Sequence, residues 1–277
     1  MNVVITGAST GIGRATALQL AAGGHRVFAG VRRPADADAL RQGATGELVP
    51  LILDVTDPEQ IHAARATVAD ALGSEPLHGL INNAGIGLGG PIEHVSIEDW
   101  RTQFEVNVFG VTSVLRELLE LLRAGPGRVI NVSSVGGRVA QPFLAPYCAS
   151  KFALEAISDA LRIELAPWGI EVSVIEPGAI QTPIWDKARS LVTELEQRLG
   201  PAAIERYGDA IDRMSKVIDD QARVAVPPER VADAIEHALT ARRPRTRYLV
   251  GSDARVGATL KWMLPDRWFD AFLRRAM

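Results

Sequence analysis

Short β-branched runs alternate with longer stretches of helical periodicity along this chain, and few architectures accept that order. Parallel strands must be joined by crossovers, so each strand is followed by a helix that covers one face of the sheet. Runs at 3–6, 26–30, 48–53, 79–82, 128–132, 171–175 and 248–250 read as seven strands. Helical patterns occupy 12–22 and 58–72, then one long helix at 97–122. That helix has Leu115, Leu118, Leu119 and Leu122 at helical spacing and Gly125-Pro126-Gly127 as its stop. The expected fold is α/β, a doubly wound seven-stranded parallel sheet with helices on both faces. All 277 residues are expected to form one domain. The alternation lapses at 184–225, a charge-rich helical insertion that is either a substrate-covering lid or a solvated excursion. Residues 252–277 follow as a C-terminal helical extension.

Thirty Lys+Arg against 33 Asp+Glu leave a net charge of -3, so no global positive field exists to gather nucleic acid or anionic membrane. Neither is expected as a partner, although the aromatic and basic segment at 260–275 has the make-up of an interfacial helix as well as of a docking one. One cysteine, Cys148, excludes an internal disulfide and fits a cytoplasmic location. The five histidines show no ligand spacing with cysteines or acids, and no metal is expected.

The first strand runs straight into Gly7-Ala8-Ser9-Thr10-Gly11-Ile12-Gly13, followed at once by an apolar helix. Glycines let such a turn close tightly, and free N–H groups at the helix start attract a pyrophosphate. Tyr147 and Lys151 are four apart and share a helix face, where an ammonium is expected to favour the ionised phenol. Ser134 lies 13 residues before Tyr147, at the end of a strand where α/β sheets place ligands. Its neighbour Ser133 points the opposite way by strand alternation.

The glycine spacing G-x-x-x-G-x-G occurs in one order with Asn82-Asn83-Ala84-Gly85, Ser134, Tyr147-Cys148-Ala149-Ser150-Lys151 and Pro177-Gly178. The chain thereby resembles the short-chain dehydrogenase/reductase family, most closely its 17β-hydroxysteroid and retinol dehydrogenase branch. The resemblance implies a Rossmann fold and an oxidoreductase acting on CH–OH groups. In it Tyr147 exchanges a proton with the substrate oxygen, Ser134 hydrogen-bonds that oxygen and Lys151 holds nicotinamide ribose hydroxyls. Asn107 would complete a proton relay through water. The resemblance also places cofactor contacts at Gly7, Ser9, Thr10, Gly11, Ile12 and Gly13, and at Asp54 and Val55 beside the adenine. Asn82, Ala84 and Gly85 would flank the adenosine, and Pro177, Gly178, Ile180 and Thr182 the nicotinamide. The family commonly forms homodimers or homotetramers.

Cofactor choice is read after the second strand. Val31 stands where an acidic residue would bind the adenosine ribose, and Arg32, with Arg33 and Ser9 in support, offers donors to a 2′-phosphate. NADP(H) is therefore expected ahead of NAD. The loop carrying Gln141 and Phe143, together with Trp185 of the insertion, supplies apolar surface for a lipophilic alcohol or ketone. Two alternatives stand beside this reading: an NAD-dependent dehydrogenase of smaller carbonyls, and a non-catalytic nucleotide-binding regulator on the same fold.

Overall fold

A computed structural model describes residues 1–276; the last residue of the expected C-terminal extension lies outside the described residues. Seven parallel strands form one sheet: β1 (Asn2–Ile5), β2 (Arg26–Val31), β3 (Leu48–Ile52), β4 (Gly79–Asn82), β5 (Arg128–Val132), β6 (Glu171–Pro177) and β7 (Arg247–Val250), ordered β3-β2-β1-β4-β5-β6-β7. The fold is the expected doubly wound sheet. Strand order reverses at β1, whose two neighbours are β2 and β4. The two chain directions part there and leave a crevice at the carboxyl ends of the strands.

Side-chain alternation divides the core in two. Val3 and Ile5 of β1 face one layer, with Ala17 and Leu20 of α1 (Gly11–Ala22) and Val231 and Ile235 of a helix near the C-terminus. Val4 faces the other layer, with Val68 of α3 (Pro58–Leu72) and the Leu115, Leu118 and Leu122 stripe. Truncating such a leucine to alanine costs about 2–5 kcal/mol. Local chemistry sets the helix starts: α2 (Pro34–Gly43) and α3 begin on prolines, and Asp57 accepts from the amides of Glu59 and Gln60 as the cap of α3.

The long helix expected over 97–122 is interrupted. It consists of α4 (Ile97–Phe104), opened by a Ser96/Asp99 capping box, a π-helical turn (Glu105–Gly110), and α5 (Val111–Arg123). A wide turn costs hydrogen-bond quality and persists where tertiary contacts hold it, here at Asn107. α6 (Ala145–Glu164) carries Tyr147 and Lys151. The 184–225 stretch folds into α7 (Ile184–Arg198) and α8 (Pro201–Val224), a hairpin with its own small core of Val192, Leu195 and Ile211. α9 (Glu229–Thr240) returns to pack on α1. α10 (Ser252–Met263) and α11 (Asp266–Ala276) form the C-terminal extension. No helix among the described residues is long and apolar enough to cross a membrane.

Candidate active site

The crevice is built around the glycine turn. Gly7 and Gly11 have φ of +67° and +54°, a region that side chains with a Cβ rarely enter. A Cβ on Gly13 would sit 2.2 Å from the Gly7 carbonyl oxygen and 2.4 Å from Asn83 Nδ2, so only glycine closes this turn. Asn83 locks it by donating to the carbonyls of Thr6 and Gly7, and the Thr6 hydroxyl accepts from the amides of Asn83 and Ala84. Thr10 occupies the cap position of α1 without a side-chain cap bond, and no acidic residue lies in the first turn. The amides beside Ser9, Thr10, Gly11 and Ile12 thus present an uncompensated positive end, which suits a pyrophosphate. Thr182 packs over this turn, with only 3.0 Å between its Cγ2 and a Cβ built on Gly11.

The adenosine side fits as well. Arg32 is exposed, whereas Arg33 forks onto Asp36 at 2.9 and 2.8 Å and its charge is already engaged. Asp54 Oδ1 accepts from the Thr56 amide and hydroxyl. Val55 is buried in the core, with its side chain and its carbonyl oxygen both against Gly110. Asn82 departs from expectation: its side chain donates to Asn131 Oδ1 within the sheet, Asn131 donates to Ser158, and the glycine turn is reached by Asn83 instead. Gly85 lies against Asn107 Oδ1 and Lys151 Nζ, with 3.3 and 3.6 Å left for a Cβ.

Tyr147, Ser134 and Lys151 converge beyond β5. A Cβ placed on Gly136 would be 3.1 Å from Tyr147 Cε1 and 3.4 Å from Ser134 Oγ, so this glycine permits the two side chains to meet. Ser134 Oγ also accepts from the Gly136 amide at 3.0 Å and lies 3.5 Å from the Pro177 carbonyl. Ser133 is buried on the opposite side. Lys151 is buried, donates to the Val132 carbonyl at 2.9 Å, and its Nζ stands 5.9 Å from the centre of the Tyr147 ring.

Burial pushes the Tyr147 phenol up to about 12, against a smaller opposing effect of its hydrogen bond with Ser134. The net direction is thus upward, opposite to the pull that Lys151 alone is expected to exert. Burial also takes Lys151 down to about 8, with the nearby Glu155 charge pulling the other way. Burial outweighs whatever the ammonium contributes from that distance, and the resting phenol is held as an acid.

Asn107 is fully buried and saturated. Its Oδ1 accepts from the Ile86 amide at 2.9 Å, and its Nδ2 donates to the Ile86 carbonyl and to Ser150 Oγ, both at 3.0 Å. Gln103, four residues earlier, pins the same segment by accepting from the Leu88 amide and donating to the Ile86 carbonyl. The Asn107 side chain therefore positions the loop after β4. Sequence reasoning missed Gln103 and Asn83, although their spacing from Asn107 and Asn82 was visible.

The mouth is roofed by the α7–α8 hairpin. Tyr207 of α8 donates to Glu93 Oε1 at 2.6 Å and meets His94 and Phe143 edge-on, and Leu195 packs on Gly90. Phe143 has φ of +63°, and its carbonyl accepts from the Gly90 amide at 2.7 Å. Trp185 donates from Nε1 to the Ile180 carbonyl at 2.7 Å, and Gln141 is exposed at the rim. Pro177-Gly178 is braced by the extension, where the Asp253 carboxylate of α10 accepts from the Ala179 amide at 2.7 Å. Cys148 is buried and packed, and burial raises its thiol. No cluster of three or more His, Cys, Asp or Glu suited to a metal occurs among the described residues.

A family model for short chain dehydrogenases matches residues 1–192 of this chain. The chain belongs to the short-chain dehydrogenase family. It is 40% identical over 277 residues to retinol dehydrogenase 5 of Mus musculus, covering 98% of this chain and 87% of that protein. It is 38% identical over 272 residues to an NADPH-dependent 3-dehydrocapnine reductase of Ornithobacterium rhinotracheale, covering 96% and 94%. Among solved structures, a short chain dehydrogenase from Burkholderia cenocepacia J2315 in complex with NADP superposes with a TM-score of 0.72 at 26% identity, covering 100% of this chain and 97% of that one. That structural match takes in the α7–α8 hairpin and the C-terminal extension as well.

Proposed function

We propose that this short-chain dehydrogenase interconverts a secondary alcohol and a ketone, or a primary alcohol and an aldehyde, on a lipophilic substrate with NADP(H). The observation that carries the reading is the meeting of the Tyr147 phenol, the Ser134 hydroxyl and the Lys151 ammonium beside an uncapped, glycine-closed helix start. Retinol as the named substrate of one relative and NADPH as the named cofactor of another support it.

A bound nicotinamide supplies or accepts the hydride. Tyr147, held protonated by burial, donates a proton to the substrate oxygen in reduction and takes it back in oxidation. Ser134 hydrogen-bonds the same oxygen and keeps it in line with the phenol. Lys151, on the same helix face, would hold the ribose hydroxyls of a bound cofactor, and its charge would stabilise negative charge that develops on Tyr147. Arg32, which is exposed, would meet the 2′-phosphate of a bound NADP(H), and the amides of the glycine turn would hold its pyrophosphate. Phe143, Trp185 and the hairpin exclude water from the reacting carbon.

A screen of NADPH consumption against steroid ketones, retinoid aldehydes, long-chain ketones and small carbonyls tests the proposal. Turnover of a lipophilic member, with NADPH preferred over NADH, is the expected result. NADPH binding without consumption on any carbonyl, or faster turnover of small carbonyls with NADH, would overturn it.

A further inference from the structure

Beneath the active site lies a charged cluster that the proposed chemistry does not use. Glu155 follows Lys151 by one turn of α6, and Glu176 lies near the end of β6; both are buried, Glu176 completely. Arg247 of β7 reaches the two together: its Nε is 3.1 Å from Glu155 Oε2 and 3.2 Å from Glu176 Oε1. Arg138, in the turn that follows Ser134, donates to Glu176 Oε1 at 2.7 Å. Asp159 takes the other end of Arg247 and is itself shared with Arg162.

The second oxygens tell the rest. Glu155 Oε1 and Glu176 Oε2 are both buried without a hydrogen-bond partner among the described residues, and so is Ser133 Oγ. Ser133 and Glu155 both border Gly137, at 2.8 and 3.0 Å from the place its Cβ would take. Two orphan acceptors and one hydroxyl leave the cluster one donor short, and a buried acceptor without a donor is costly. Two carboxyls converging on one guanidinium nitrogen also repel each other when both are ionised. One added proton eases both faults, because it turns one of the orphan acceptors into a donor and cancels one of the two charges.

We infer that this pair of carboxyls binds one proton, at Glu176, in the folded protein at mildly acidic pH, and that Glu155 and Glu176 act as positioning residues, with Glu155 one helical turn from Lys151. Burial and the Glu155 charge both push Glu176 above the usual carboxyl range, in agreement with this. The pair joins the three segments that build the site: α6 with Tyr147 and Lys151, the turn after Ser134, and the end of β6 before Pro177. Its remaining charge supports the Lys151 ammonium, a role that rests on the function proposed above; the proton itself does not.

The test uses the full-length protein. Infrared spectra at pH 6 and 7 should contain the carbonyl stretch of a protonated, buried carboxylic acid, and Glu176→Gln, which mimics that acid in shape and charge, should remove it. Glu176 released on unfolding ionises at lower pH, so wild-type stability falls as pH rises from the ordinary carboxyl range to the raised value, and the Gln variant should lack this slope. No such band in the wild type, or parallel melting curves for wild type and Glu176→Gln from pH 5 to 8, would show both groups ionised and overturn the inference. These readouts need neither substrate nor cofactor, so they stand apart from any failure of the proposed reaction. For the link to Lys151, Glu155→Gln should move the alkaline limb of NADPH binding down by about one pH unit, as expected for loss of an opposite charge nearby. Glu155→Asp should restore it in part. An unmoved limb with uniformly weaker binding would reduce Glu155 to packing alone.

Discussion

Replacing Tyr147 with Phe isolates one hydroxyl in a site where its protonation state is already set. Burial raises this phenol from 10 to about 12, and two units correspond to about 2.7 kcal/mol in favour of the protonated form. At pH 7 that leaves roughly one phenolate for every 10⁵ phenols, so the resting site is loaded to give a proton to a carbonyl. Tyr147→Phe keeps the ring between Gly87 and Gly136 and removes only the donor. General acid catalysis is typically worth about 10² to 10⁴ in rate, or about 2.7 to 5.5 kcal/mol, and carbonyl reduction should fall by that factor. Stability should change by no more than about 1.5 kcal/mol, the usual net worth of a hydrogen bond such as the one shared with Ser134.

Steady-state NADPH consumption on a substrate from the screen measures the loss, with cofactor titration and a melting curve as controls for binding and folding. The raised phenol adds a directional expectation. Alcohol oxidation needs the phenolate and should climb about tenfold per pH unit while Tyr147 remains mostly protonated, whereas the acid form needed for reduction stays filled over the same range. A folded, NADPH-binding Phe variant that reduces the substrate at near-normal rate would place the proton donor elsewhere. Oxidation independent of pH would refute the buried-acid argument specifically.

Three further outcomes follow from the same geometry. Arg32→Ala should weaken NADPH by about 1.5–3 kcal/mol, the range for a hydrogen bond to a charged group, and leave NADH nearly unchanged in parallel titrations. Gly13→Ala forces a Cβ to within 2.2 Å of the Gly7 carbonyl oxygen; it should cost about 1–3 kcal/mol of stability by denaturant unfolding and abolish detectable cofactor binding. Lys151 titrates near 8 in the fold against 10.5 in the unfolded chain, so the unfolded state binds its proton first and stability falls as pH drops from 10.5 to 8. The full penalty, on the order of 3 kcal/mol, persists below 8. Lys151→Met removes it and forfeits about 1 kcal/mol of hydrogen bonding to Val132, so the cofactor-free variant should be stabler by about 2 kcal/mol at pH 7, measured by urea unfolding.

The sheet was readable because each strand is a short β-branched run between turn residues, and β4 and β5 begin and end where that pattern does. The break in the long helix was not, since one extra residue per turn at Glu105–Gly110 leaves the leucine stripe of α5 intact. Tyr147, Lys151 and Ser134 were legible through spacing, as they lie on one helix face and one strand end. Asn82 misled because an amide in a motif reads alike whether it faces a loop or the sheet, and its pairing with Asn131 is set by strand register. The Glu155–Glu176 pair joins residues 21 apart in sequence through an arginine 71 residues further on. Only the parallel crossovers that set β5, β6 and β7 side by side bring them together.

The hairpin is held apart from the residues proposed to carry the chemistry. Its helices bury Val192, Leu195 and Ile211 against each other, so the hairpin has a small core of its own besides its contacts with the sheet domain. Those contacts include the Tyr207 contacts with Glu93 and His94, the contacts on Phe143 and Gly90, the Arg198–Asp99 ion pair at 3.6 Å, and the Trp185 bond to the Ile180 carbonyl. None passes through Tyr147, Ser134 or Lys151, which are held by α6, β5 and the turn after Ser134. Phe143 links the two parts: a non-glycine residue in the left-handed region, it stays there because its carbonyl is fixed by Gly90 while its ring meets Tyr207. Strain of about 1–3 kcal/mol at such a residue persists only when its surroundings over-determine it. A change in hairpin sequence should therefore reshape the mouth without disturbing Tyr147, and Phe143 is where the two sets of constraints meet.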